Sequence, residues 1–237
     1  MMDALLAECS GYEGFSILSV GSGSGLFELP MLRKLLAEGK NVARFTGVDI
    51  DEDANQLLVE ALNAEFAGQL DYEIISDSFD AFDPKEPADI ILYNHVFEYI
   101  REGHLDWMRK SVNLLAAEGI LLLFSPIQGG INAIYEENMS EHFDYAPYYS
   151  ADIEKMLVEA GMAFSKQRIR GVCDISLLDD IESETDAMRL LSFLTQVDCR
   201  KVPGEQVAEQ VEYFQSLGEP GEKRIPHPTD FFVLSAQ

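Results

Sequence analysis

The sequence predicts an α/β fold, a doubly wound parallel sheet with helices packed on it. Three observations predict it. Short apolar runs of strand length alternate with helix-patterned segments from residue 15 to about residue 170. One of them, Asp89-Ile-Ile-Leu-Tyr93, is apolar without alternation, as a strand covered on both faces must be. The first run, Phe15 to Val20, ends in Gly21, Gly23 and Gly25 and then enters a stretch with Leu29, Leu32, Leu35 and Leu36 on one face. Strand, glycine turn and helix form a unit in which a ligand can lie against backbone with no side chains in the way.

The elements follow in order. Strand one is expected at 15–20 and its helix at about 25–39, with Pro30 tolerated near the first turn and Gly39 as a stop. Strand two spans 44–49. The helix after it, about 52–65, opens with Asp51-Glu-Asp53, which suits the positive end of the helix dipole. Strand three is expected at about 70–75, strand four at 89–93, a helix over about 103–116 and strand five at 119–124. After strand five the pattern changes. Ser125-Pro-Ile-Gln-Gly-Gly130 breaks the chain, a helix runs over about 131–139, and an aromatic, acidic segment covers 141–149. Ser150 is the expected N-cap of a helix ending at Gly161, and strand six is expected at about 163–170. The last strand, Phe231-Phe-Val-Leu234, comes about sixty residues later, after helix-patterned segments at about 184–197 and 204–217. The chain thus reads as a single domain over 1–237, with residues 126–150 and 172–229 as helical cap insertions over a substrate site.

Composition narrows the function. Among 237 residues no apolar run approaches the length of a membrane span. The first ten residues carry acids and no basic stretch, so a secretory signal is not expected. Three scattered cysteines without a C-x-x-C pair fit a reducing cytoplasm. His104, His142 and His227 form no metal-ligand spacing, and no metal is expected. A net charge of −25 repels phosphate backbones and anionic lipid, which argues against nucleic acid or membrane as partner. The same charge would concentrate a small cation, or serve solubility alone.

The spacing at the glycine turn decides the kind of ligand. A dinucleotide fingerprint needs G-x-G-x-x-G and an acid about 20 residues on. Here position 26 is Leu, and the acid that ends strand two, Asp49, lies 28 residues after Gly21. G-x-G-x-G with this later acid resembles the class I S-adenosylmethionine (SAM)-dependent methyltransferases. That resemblance implies a mostly parallel, seven-stranded, Rossmann-like methyltransferase sheet whose last strand is antiparallel, and S-adenosyl-L-methionine as cofactor. Gly21, Ser22, Gly23 and Gly25 would carry the methionine and ribose portions. Either Glu28 or a main-chain carbonyl would receive the amino group. Asp49 would accept the ribose hydroxyls with Ile50 beside it; Asp77, with Ser78, would accept from the adenine amino group; Asn94 would line the cofactor after strand four.

The second half is similar to the histamine N-methyltransferase family. The resemblance rests on Cys173-Asp-Ile-Ser-Leu-Leu-Asp-Asp180, Leu190-Leu-Ser-Phe-Leu-Thr195, Thr229-Asp-Phe-Phe-Val-Leu-Ser235, Gln128-Gly-Gly-Ile131 and Tyr149-Ser-Ala-Asp152. It implies methyl transfer to a small nitrogenous, cationic metabolite. His95 and Tyr99 would face the acceptor, His95 either taking its proton or only hydrogen-bonding, Tyr99 either orienting it or packing. Tyr145, Tyr148 and Tyr149, with Glu141 and Asp144, would hold a cation by ring faces and carboxylates or pack on the cap. The sequence departs from that family in its short segment before strand one, in lacking a terminal-strand asparagine near His227, and in Ala54 beside Asn55 and Gln56. The resemblance therefore implies the reaction class rather than histamine itself. Transfer to oxygen or sulfur, and a non-catalytic SAM-binding subunit whose pocket a second copy or a partner completes, stay open.

Overall fold

The computed structural model describes residues 1–143, 146–180, 185–218 and 221–236. Its centre is a seven-stranded sheet of β1 (Gly14–Val20), β2 (Asn41–Asp49), β3 (Tyr72–Ser76), β4 (Ala88–Asn94), β5 (Leu115–Pro126), β6 (Ser165–Ile169) and a last strand, Thr229–Ser235. The spatial order is β3-β2-β1-β4-β5-last-β6. The last strand is antiparallel to both neighbours, and the other pairings are parallel. A two-stranded sheet pairs β7 (Val172–Asp174) with β8 (Arg224–Pro226), so the last strand is β9.

Alternate residues of each central strand feed opposite cores, which is why the runs look continuously apolar. On β4, Ile90 and Leu92 join Met31, Leu32, Leu58 and Leu62 from α2 (Glu28–Ala37) and α3 (Glu52–Phe66). Ile91 and Tyr93 join Met108, Ile153 and Leu157 from α4 (His104–Leu114) and α6 (Ser150–Glu159). Burying a large apolar side chain is worth about 1.5–3 kcal/mol, so these two layers dominate stability. Tyr93 is wholly buried, and its hydroxyl shares a 2.7 Å hydrogen bond with Ser111 Oγ of α4.

A third cluster lies apart from the sheet. Ile131, Ile175, Leu178, Leu191, Leu194, Cys199, Val207, Phe214 and Ile225 pack together, joining the segment after β5 to α7 (Thr185–Thr195), α8 (Gly204–Ser216) and β8. The two regions expected as cap insertions thus share one apolar core.

Several boundaries differ from expectation for local reasons. Helix α2 begins at Glu28 rather than near 25, because the glycine turn holds Gly25 at φ +79°. Strand β5 begins at Leu115, inside the expected helix. Leu115 pairs with Ala88 across a register shift, and at Gly119 an added Cβ would lie 3.0 Å from backbone atoms of Ala116 and Ala88. The helix after β5, α5 (Ala133–Phe143), follows a 3₁₀ turn at Gly130–Asn132. Ser150 is not the N-cap of α6. Tyr149 holds that position, its N–H donating to the Asp152 carboxylate at 3.0 Å.

The Ser150 hydroxyl instead donates to Asp230 Oδ2 at 2.8 Å. Asp230 on β9 is 1 % exposed and also accepts from Arg168 Nε at 2.7 Å and Nη2 at 2.9 Å, so one carboxylate ties β9, β6 and α6 together. Burial opposes its charge, but the hydrogen bonds from Arg168 and Ser150 and the charges of Arg168 and Lys166 outweigh that and hold the carboxyl below its ordinary range. A lowered folded-state value means stability that is in place above the ordinary carboxylate range and lost as the pH falls through the folded value. Asp230→Asn should therefore cost about 2 kcal/mol in urea unfolding at neutral pH. The gap to wild type should close as the pH is lowered below the ordinary carboxylate range. A gap that stays constant over that range would show that the charge of Asp230 is not what stabilises this edge of the sheet.

Candidate active site

Strand order reverses between β1 and β4, and ligands of open α/β sheets bind outside the carboxyl ends of strands at such a point. A cavity of about 830 Å³ opens there. Its walls come from the glycine turn, the residues just past β2 and β3, the loop after β4, Trp107 of α4 and Phe193 of α7.

The turn is tied to β2 at two places. Gly21 N–H donates to Val48 O at 2.7 Å, and Gly23 N–H donates to Asp49 Oδ2 at 2.8 Å. Asp49 Oδ1 accepts from Asp51 N–H at 2.9 Å, so the carboxylate is aimed by two backbone donors. An ionised carboxylate has about four acceptor sites, leaving capacity for a diol. Gly21 has φ +69°, and an added Cβ would come within 2.6 Å of Val96. Gly25, at φ +79°, is pressed on Leu58 in the same way, but around Gly23 a Cβ would meet nothing within 4 Å. Gly23 is the backbone that a ligand can approach. Ile50 is 77 % exposed on the cavity wall, an open apolar surface suited to a flat ring. Asp77 also lines the wall, its Oδ1 accepting from Ser78 N–H at 2.7 Å.

Of the sequence-predicted residues, Gly21, Gly23, Asp49, Ile50, Asp77, Ser78, His95 and Tyr99 stand together on this cavity. Others do not reach it. Ser22 is buried against Gly47, where an added Cβ would lie 2.8 Å from its Oγ. Gly25 faces α3. Glu28 is 3 % exposed beneath the turn, accepting from Ser19 Oγ at 2.8 Å. Burial pushes its carboxyl up to about 7, against the hydrogen bonds from Ser19 and the backbone. Asn94 is half-buried behind the wall, and its Oδ1 finds no hydrogen-bond partner among the described residues. The tyrosine group does not gather at the cavity either. Tyr148 stacks on His104 at 3.8 Å beside a separate recess that includes Arg109 and Lys155, and Tyr149 is buried at the start of α6. Tyr145 and Asp144 lie outside the described residues, as does the side chain of Glu141.

Past β4 the geometry is unusual. His95 has φ +56°, a region that costs a non-glycine residue energy, and its N–H donates to Phe124 O at 3.0 Å. Its Nδ1 lies 3.3 Å from Glu98 Oε1, and its ring stacks on His227 with centroids 5.7 Å apart. Burial, and then the nearby His95, push His227 down to about 4. Tyr99 meets Tyr135 edge to face at 6.1 Å. Glu98, Tyr135 and Phe193 were not legible as site residues. Glu98 had one signal, an acid three residues after the candidate histidine. Phe193 lay in the expected cap helix, but nothing in its spacing marked it from its neighbours as the residue that reaches the cavity. Among the described residues no group of three His, Cys, Asp or Glu is placed to hold a metal ion, and no helix is long and apolar enough to cross a membrane. Cys9, Cys173 and Cys199 are all free thiols.

Known proteins supply the context. No curated protein matches the sequence. Solved structures resemble the fold at low identity. Phosphoethanolamine N-methyltransferase 2 of Haemonchus contortus, solved with phosphomonomethylethanolamine and S-adenosylhomocysteine, has a TM-score of 0.59 at 14 % identity over 99 % of this chain and 52 % of its own. A cyclopropane synthase from Mycobacterium tuberculosis has a TM-score of 0.62 at 15 % identity over 99 % and 82 %. Coclaurine N-methyltransferase bound to N-methylheliamine and S-adenosylhomocysteine has a TM-score of 0.62 at 13 % identity over 99 % and 71 %. The profile of a methyltransferase domain matches residues 2–164, which contain every strand from β1 to β5 and the whole glycine turn. The chain belongs to that methyltransferase-domain family, with a class I, Rossmann-like fold and S-adenosyl-L-methionine as its methyl donor.

Proposed function

We propose that this protein methylates a nitrogen of a small cationic metabolite, an amine or an imidazole. The observation that carries the reading is the charge of the cavity wall. Asp49, Asp51, Asp77, Asp80 and Glu102 line it, and Arg101 is the sole lysine or arginine among the lining residues. Such a wall favours a sulfonium donor and a positively charged acceptor and disfavours anions. Two of the structural neighbours are N-methyltransferases, and the resemblance of the second half to the histamine N-methyltransferase family points the same way.

The donor, when bound, supplies an electrophilic methyl group on a sulfonium sulfur. The chain supplies alignment and a dry site, where most of the acceleration of an in-line displacement arises. In this reading Asp49 takes the ribose hydroxyls, Ile50 flanks the adenine and Asp77 accepts from its amino group. Gly23 lets the backbone approach the methionine portion, and the amino group goes to a main-chain carbonyl of the turn. His95 takes the acceptor's proton while Tyr99 orients it. Residues 126–150 and 172–229 act as a cap within one domain, closing the acceptor side through Phe193. The free thiols and the acidic surface suit a reducing cytoplasm.

Three measurements test the reading. Asp49→Ala should weaken SAM binding by roughly 1.5–3 kcal/mol, ten- to a hundredfold, in calorimetric titration. Unchanged affinity in a folded variant would remove the ribose role. Conversion of SAM to S-adenosylhomocysteine should depend on an added amine or imidazole. Turnover with hydroxyl or thiol acceptors alone would move the assignment to O- or S-methylation, and no turnover despite SAM binding would favour a non-catalytic subunit. The third concerns Glu28. Its raised value means that stability is fully present below the ordinary carboxylate range and is lost as the pH rises toward about 7. Glu28→Gln, which keeps an oxygen for Ser19, should gain on wild type by on the order of a few kcal/mol between roughly pH 4.5 and 8.

A further inference from the structure

We propose that Glu98 is a positioning residue that fixes the tautomer of the neutral His95 ring, with the proton on Nδ1 beside the carboxylate and Nε2 left as the bare nitrogen for the acceptor. This rests on the reading above, in which His95 takes the acceptor's proton.

Four observations support it. Glu98 lies in the single 3₁₀ turn Phe97–Tyr99, 4 % exposed, with Oε1 3.3 Å from His95 Nδ1. Its Oε2 is buried and has no hydrogen-bond partner among the described residues. His95 lines the cavity, and Glu98 is not part of the wall, so the carboxylate stands behind the ring rather than in the ligand space. The backbone of His95 is held at φ +56°, a conformation kept only where the surroundings over-determine it.

The chemistry follows from this 3.3 Å contact. Which nitrogen of a neutral imidazole carries the proton is set by the hydrogen bond that the other group offers. A carboxylate is an acceptor only, so it demands N–H at Nδ1. A buried carboxylate also needs a positive partner, and removing that partner is costly. When His95 takes a proton, an opposite charge appears 3.3 Å from Glu98. The stacked ring of His227 does not replace it. Burial keeps His227 neutral at ordinary pH, and its Nδ1 is itself without a partner among the described residues.

The step balances. The acceptor nitrogen's lone pair forms the new N–C bond as the C–S bond breaks with its electrons going to sulfur. The acceptor's N–H proton moves to His95 Nε2, the other proton stays on His95 Nδ1 facing the Glu98 carboxylate, and the transferred proton leaves to water as the product departs.

The test is ¹⁵N–¹H NMR of the full chain labelled at histidine, recorded with S-adenosylhomocysteine bound and at a pH where His95 is neutral. Wild type should show His95 protonated on Nδ1. Glu98→Leu should shift the majority to Nε2–H, and Glu98→Gln, whose amide oxygen still accepts, should keep Nδ1–H. Binding of S-adenosylhomocysteine within about threefold of wild type checks that each variant is folded. With the best acceptor of the panel, Glu98→Gln should lower kcat roughly ten- to a hundredfold with KM for SAM unchanged, because it keeps the geometry and removes the charge. Nε2–H in wild type, or a tautomer indifferent to Glu98→Leu, overturns the proposal, as does full turnover in Glu98→Gln. Full turnover in His95→Asn would overturn the base role of His95 instead, leaving the tautomer result to stand by itself. The two failures are therefore told apart.

Discussion

The hydrogen bond from Gly23 N–H to the Asp49 carboxylate is the contact on which the site depends. It joins the turn after β1 to the end of β2, and it holds the two groups proposed to take the donor's nucleoside at a fixed separation. The bond from Gly21 to Val48 O repeats the tie one layer deeper. Because both partners sit at the carboxyl ends of adjacent parallel strands, the sheet register itself sets their spacing. A carboxylate already oriented by backbone donors loses little side-chain entropy when a ligand arrives, which is how preorganisation contributes to affinity.

Around that contact the wall is built from two sources of different rigidity. The glycine turn, Asp49 and Asp77 belong to the sheet and its first crossings, and their positions follow from the two buried cores. Phe193 comes from α7, whose packing belongs to the separate apolar cluster beyond the sheet. One side of the cavity is thus fixed by strand pairing and the other by how that cluster seats. In related folds, change in the acceptor would be met on the second side, where the sheet register imposes least.

The strained His95 lies where these parts meet. Its backbone is anchored to Phe124 on β5, its ring lies between Glu98 and His227, and its side chain reaches the cavity. His227 stands just before β9, and Glu98 follows β4, so three non-adjacent pieces of chain define one imidazole's surroundings. A buried acid and a buried neutral imidazole around one histidine form an arrangement costly to assemble and difficult to explain by packing alone.

Much of this was determined by the sequence itself. Apolar periodicity located β1 to β5 and their alternation with helices, because strands covered on both faces cannot hide their composition, and the antiparallel end followed from the family resemblance. The glycine spacing and the late acid placed Gly21, Gly23 and Asp49 at one site, because backbone conformation and strand ends are local properties. Tertiary structure alone decided the rest. Ser150 looks like a helix cap, yet its hydroxyl serves Asp230, eighty residues away. Tyr148 looks like part of a cation cage, yet it stacks on His104 in another recess. Glu28 sits one residue before the expected apolar face and is buried beneath the turn rather than on the cavity wall. His227 shares no pattern with His95 in the chain. Its stacking on His95 is a long-range contact, and local propensity carries no information about which distant side chains a fold brings together.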